Sequence, residues 1–205
     1  MKWLNLKWAL PVAALLLFGA SQASAQCPAV GADSNGCELV ITVTAVNASG
    51  VGTAFTVATT SPDQGPYDGV EDTLVGVKNS SGAVLTALNL SSPLDAFAFD
   101  GDGPCVSTGI GNTPSNCSSD PSGYGGPGVS FSGINAAATS GTVSFAPGVA
   151  NGGTAWFALE EAVTASQITG GGGGGTSSTP EPGSFMLLAS GLLGLVGFAR
   201  RKALI

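Results

Sequence analysis

Leu39 to Val46 reads Leu-Val-Ile-Thr-Val-Thr-Ala-Val. The run is rich in β-branched side chains, which lose rotamer freedom in a helix and pack well on a pleated surface. It therefore predicts a strand. Similar short runs recur at Thr53–Thr59, Leu74–Asn79, Val84–Leu90, Ala96–Phe99, Val129–Ser132, Gly141–Phe145 and Thr154–Leu159. Turn-forming clusters separate them: Ser80-Ser81-Gly82, Asp100-Gly101-Asp102-Gly103, Gly125-Gly126-Pro127-Gly128 and Asn151-Gly152-Gly153. No amphipathic helical period interrupts the series. Seven or eight strands joined by Gly/Pro turns predict an all-β domain, a two-sheet β-sandwich, with a jelly roll as one arrangement open to it. Phe97, Phe99, Phe131, Phe145, Trp156 and Phe157 are the expected aromatic core. Trp156 and Phe157 are adjacent, so they point to opposite faces of one strand. One of them should be exposed or covered by a loop.

The strands fall within residues 26–169, 144 residues that suit one domain. That segment holds twelve acidic residues and a single base, Lys78, for a formal charge of −11 against −7 for the whole chain. Such a surface repels nucleic acid and anionic lipid. It suits solubility, or divalent cations.

All four cysteines lie in the same segment: Cys27, Cys37, Cys105 and Cys117. An even count in an exported chain predicts disulfides. Three pairings are open, and the spacing favours two local loops, Cys27 with Cys37 and Cys105 with Cys117. A zinc site lacks its usual ligands, because the chain has no histidine and no C-x-x-C pair.

The absence of histidine also removes Ser-His-Asp and Cys-His nucleophiles and the commonest general base. Arginine is absent from residues 26–169, so no guanidinium can clamp a phosphate there. No catalytic residues are expected. A carboxylate pair drawn from Asp68, Glu71, Asp72, Asp100, Asp102, Glu160 and Glu161 could still perform glycoside hydrolysis.

The same acids suit calcium better, since that ion takes six to eight oxygen ligands. Asp100-Gly101-Asp102-Gly103 begins like a calcium-binding loop and then departs from it, with Pro104 at the third ligand position and Gly111 where a bidentate Glu belongs. A site from Asp68, Glu71, Asp72, Asp100 and Asp102 is the expectation if calcium binds. The plainer reading is that Asp-Gly pairs form turns. Calcium is the one cofactor that the sequence suggests.

The two ends of the chain are of another kind. Residues 1–25 carry Lys2 and Lys7, an apolar run from Ala9 to Ala20, and Ala23-Ser24-Ala25. That is the pattern of a secretory signal peptide cut after Ala25, leaving Gln26 first. Gln26 stands where a lipoprotein would need a small residue before Cys27. At the other end, the linker 170–179 opens with the glycine run Gly170–Gly175 and leads to Pro180-Glu181-Pro182, an apolar stretch over 183–199, and Arg200-Arg201-Lys202. The seventeen residues of that stretch are near the lower limit for a membrane helix, and the basic triplet would hold its end in the cytoplasm.

The segment Thr179 to Lys202 resembles a PEP-CTERM domain, the sorting signal of Gram-negative exosortase systems. The resemblance implies cleavage by a membrane-embedded exosortase near Pro180-Glu181-Pro182. It also implies export through the Sec pathway, an inner-membrane-anchored intermediate, and delivery to the cell surface or the exopolysaccharide matrix. A permanent tail anchor is the alternative, against which the tripeptide argues. The segments Tyr67 to Val77, Phe99 to Gly103 with Cys105, Tyr124 to Gly128, and Trp156 to Glu160 are similar to the globular domains of such proteins. They imply one exported domain and carry over no site residues.

Three function classes follow. The first is a non-enzymatic surface or matrix protein with a role in exopolysaccharide, biofilm or floc structure. The second is a carbohydrate-binding module, which a row of exposed aromatics would favour. The third is a secreted hydrolase, which needs two carboxylates facing each other in a cleft.

Overall fold

The computed structural model of the protein describes residues 27–28, 36–60, 66–106, 117 and 120–170. The signal-peptide residues with Ala23, Ala25 and Gln26 lie outside these. So do the linker beyond Gly170, the apolar stretch 183–199, and the sorting residues Pro180, Glu181, Pro182, Arg200, Arg201 and Lys202.

Eight strands form, and no helix, among the described residues. They are β1 (Leu39–Val46), β2 (Gly52–Thr59), β3 (Thr73–Asn79), β4 (Leu85–Ser91), β5 (Val129–Ser132), β6 (Ser140–Val149), β7 (Thr154–Leu159) and β8 (Thr169–Gly170). They make two four-stranded sheets, β2-β1-β3-β7 and β5-β6-β4-β8. The chain crosses between the sheets after β3, after β6 and after β7. β1 and β3 pair parallel, a departure from the antiparallel pairing of a jelly roll.

The sandwich core follows from alternation. Leu39, Ile41 and Val43 of β1, Phe55 and Val57 of β2, Leu88 and Leu90 of β4, and Val143 and Phe145 of β6 meet between the sheets. Polar residues such as Thr142 and Ser144 lie between the inward positions of β6 and leave its other face to solvent.

Two strands break the alternation, and they matter for function. β3 carries Val75 and Val77 into the intersheet core and Leu74 into a second apolar cluster on the outside of its sheet. β7 does the same, with Phe157 and Leu159 inward and Trp156 and Ala158 outward. Tyr67, Tyr124 and the Cys105–Cys117 disulfide complete the outer cluster. The expectation that one of Trp156 and Phe157 is covered by a loop is met by Trp156.

The covering loop is hydrogen-bonded to the sheet edge. The Ala158 N–H donates to the Tyr124 carbonyl at 2.8 Å, and the Gly126 N–H donates to the Trp156 carbonyl at 3.2 Å. This pairing closes β7 as an edge strand. Gly126 is required by proximity: a Cβ there would meet the Trp156 carbonyl oxygen at 2.4 Å and the indole at 2.7 Å.

Three strand expectations change. Ala96–Phe99 is not a strand. A turn closed by the Ala98 N–H on the Asp95 carbonyl carries it, and Ala96 and Phe97 fill the core from that loop. β6 extends to Val149 through Pro147, which lies past the last residue paired with β5, where no ladder donor is needed on that side. β8 was not expected. It pairs Leu90 with Gly170 and Ser91 with Thr169, so the domain runs one residue past the expected boundary.

Candidate functional site: a carboxylate trio at one end of the first sheet

Strand register builds this site. β3 and β7 are antiparallel, with Thr73 opposite Leu159. One step beyond, Asp72 precedes β3 and Glu160 follows β7, so both acids arrive at the same end of the sheet. Asp102, on the long β4–β5 connection, reaches the same point. One carboxylate oxygen from each of Asp72, Asp102 and Glu160 lies within 4.8 Å of the others.

Two tyrosines hold the trio in place. The Tyr67 hydroxyl donates to Asp72 Oδ2. The Tyr124 hydroxyl donates to Asp102 Oδ1 at 2.7 Å and lies 3.4 Å from Asp100 Oδ1. The Asp100 N–H donates to Glu160 Oε2 at 3.2 Å. Asp72 is 1 % exposed and Glu160 8 %, whereas Asp102 reaches solvent. Asp72 Oδ1 is buried and has no hydrogen-bond partner among the described residues.

Burial and crowding govern the protonation of these groups. Burial is the largest effect on Asp72. The Tyr67 hydrogen bond opposes it, and the charges of Asp102, Glu160 and Asp68 add to it, so its carboxyl is pushed up to about 7. Burial also raises Glu160, against the hydrogen bonds from Tyr124 and the Asp100 N–H. Both tyrosines are raised, chiefly by burial and then by the carboxylates they donate to. Glu161, one residue on, is raised by burial and by its hydrogen bond with Asp95. The only base of residues 26–169, Lys78, stands at the far end of β3.

Of the five acids expected to hold calcium, the structure gathers Asp72 and Asp102. Asp68 is occupied with its own turn, where Oδ1 accepts from the N–H groups of Val70, Glu71 and Asp72. Asp100 Oδ1 accepts from the Asp102 N–H in the same way, so these two follow the turn-former reading. Glu71 is exposed and outside the trio. Glu160 is the member that the calcium expectation left out. Both expected disulfides form, Cys27–Cys37 and Cys105–Cys117.

A cleft of about 550 Å³ opens elsewhere, lined in part by Pro28, Pro127, Phe145, Pro147 and Trp156. None of the three carboxylates lines it. The large hydrophobic side chains exposed among the described residues are Val70, Val84, Val106 and Ile134, all aliphatic.

Residues 178–202 match the PEP-CTERM protein-sorting motif. The chain is a PEP-CTERM domain-containing protein. That motif marks an exosortase substrate, exported and anchored transiently at the membrane before cleavage. No curated protein and no solved structure matches the chain. The sorting motif and the folded domain of this PEP-CTERM protein are therefore separate sources of information. The first says how the protein is handled, and the second what its surface offers.

Proposed function

We propose that this PEP-CTERM protein is a non-enzymatic component of the cell surface or extracellular matrix of a Gram-negative bacterium, with a structural role in exopolysaccharide, biofilm or floc. The observation that carries the reading is the sorting motif over residues 178–202. In this reading residues 1–25 are a signal peptide, 26–169 the working domain, 170–179 a tether, and 180–205 a sorting tail removed near Pro180-Glu181-Pro182.

The domain's chemistry supports the non-enzymatic part. It offers neither histidine nor arginine, and its carboxylates sit apart from its cleft. Two disulfides suit a small domain that works outside the cell. Its acidic exterior favours solubility in a hydrated matrix and leaves nucleic acid out as a partner.

Carbohydrate binding is the second reading, with the cleft that Trp156 and Phe145 help to line as its site. Both rings are buried, so a sugar would stack on the indole only if the loop over Trp156 moved aside. The hydrolase reading would have its acids outside the cleft that Trp156 helps to line.

Fractionating cells with and without the exosortase tests the proposal. The protein should move from the membrane fraction to the surface or matrix when the exosortase is present. Residence in the membrane under both conditions would contradict it.

A further inference from the structure

We propose that Asp72, Asp102 and Glu160 hold a divalent cation, calcium in preference to magnesium, at the end of the sheet where β3 begins and β7 ends. Two independent observations point there. The first is geometric: three carboxylate oxygens from three separate segments lie within 4.8 Å of one another. Three oxygens mutually within 4.8 Å lie no more than about 2.8 Å from a common centre, so an ion there needs at most a small inward shift to reach the calcium range of about 2.3–2.6 Å. Magnesium, at about 2.0–2.1 Å, demands strict octahedral geometry and gives up its waters reluctantly, so three carboxylates fixed on separate segments suit the larger, more adaptable ion.

The second observation is Asp72 itself. Its side chain is 1 % exposed, and Oδ1 has no hydrogen-bond partner among the described residues. Buried polar oxygens are almost always partnered, because leaving one unsatisfied is costly. A buried carboxylate beside two further carboxylates, with no base near it, is stabilised when a cation supplies the missing contact.

Ligand chemistry narrows the ion. All donors are oxygen, the chain has no histidine, and its four cysteines are spent in disulfides. Soft and borderline metals lose their preferred ligands, and a hard cation remains. The phenols of Tyr67 and Tyr124 donate directly to Asp72 and Asp102, so they fix ligand orientation as outer partners do in metal sites generally. The ion would join β3, β7 and the β4–β5 connection, three segments distant in sequence.

The test has two readouts on the purified chain. The first is melting in chelator, then in calcium or in magnesium at equal concentration. Calcium a hundredfold above its dissociation constant should raise the midpoint by roughly 5–10 °C, and magnesium by less. The second is terbium luminescence excited through tyrosine, which Tyr67 and Tyr124 should sensitise and calcium should quench by displacement. Asp72→Asn should abolish both signals. Asp102→Asn, at an exposed position where the amide oxygen can still accept from Tyr124, should abolish them as well. Glu71→Gln, a nearby acid outside the trio, should preserve them. Equal midpoints with no sensitised emission would overturn the proposal. So would a calcium shift that survives Asp102→Asn, or one that Glu71→Gln removes equally.

Discussion

Asp72 and Glu160 are 88 residues apart in the chain and meet at one end of the β3–β7 pair, one step beyond the Thr73–Leu159 register. A hydrogen-bond relay supports the meeting. The Thr73 hydroxyl donates to the Glu161 carbonyl at 2.8 Å and accepts from the Val163 N–H at 3.0 Å. The start of β3 is thereby tied to the chain that follows β7, beside the carboxylates.

Acid should stabilise the cation-free domain. The folded-state pKa of Asp72 is raised from 3.8 to about 7, and Glu160 and Glu161 are raised in the same direction. A raised folded pKa means that the native state holds its proton more tightly than the unfolded chain. The Asp72 contribution is complete below about pH 4 and is lost as pH rises through about 7. Denaturation midpoints in chelator should fall between pH 5 and pH 8, and Asp72→Asn should flatten the fall. A midpoint that climbs over that range would contradict the assignment.

Removing the outer staple should loosen the face that carries Asp102. Replacing Cys105 and Cys117 by alanine opens a loop with a sequence separation of 12 and should cost about 3 kcal/mol. Urea unfolding of the two forms measures it. Trp156, in the same apolar cluster, should report the change as a red-shifted emission.

Gly126→Ala should act on the same cluster from the other side. The added methyl collides with the Trp156 backbone and indole, and overpacking of this kind costs about 1–3 kcal/mol. Gly82→Ala is the contrast. Its Cβ would meet nothing within 4 Å, so only the positive φ of 83° opposes it, at about 1–2 kcal/mol. A Gly126→Ala protein with unchanged tryptophan emission would show that the loop does not cover Trp156.

Phe157→Ala should be the more damaging of the two aromatic truncations on β7. Phe157 is fully buried between the sheets, and its ring centroid lies 6.1 Å from that of Phe131. Its loss should cost about 3–5 kcal/mol. Trp156→Ala, beneath a loop that can settle, should cost less. Equilibrium unfolding of the two variants decides the order.

Much of the fold was legible because strand signals are local. β1 matches the Leu39–Val46 reading without change, and β5 and β7 match theirs. Ala96–Phe99 misled because an apolar pair that fills a core from a loop looks the same in sequence as one that fills it from a strand. β8 is two residues long, too short to carry a pattern. The site was half legible for a related reason. Asp68 and Asp100 lie close in sequence to the true members, but their oxygens serve their own turns. Glu160 belongs to the trio only through β3–β7 pairing, which no local spacing reveals.

The central claim is that an exosortase processes this PEP-CTERM protein and releases the folded domain. Intact-mass analysis of the exported protein tests it most directly. The account predicts a chain beginning at Gln26 and ending near Pro180-Glu181-Pro182, lighter by four hydrogen atoms for its two disulfides. An exported protein whose mass still includes residues 185–205 would contradict it.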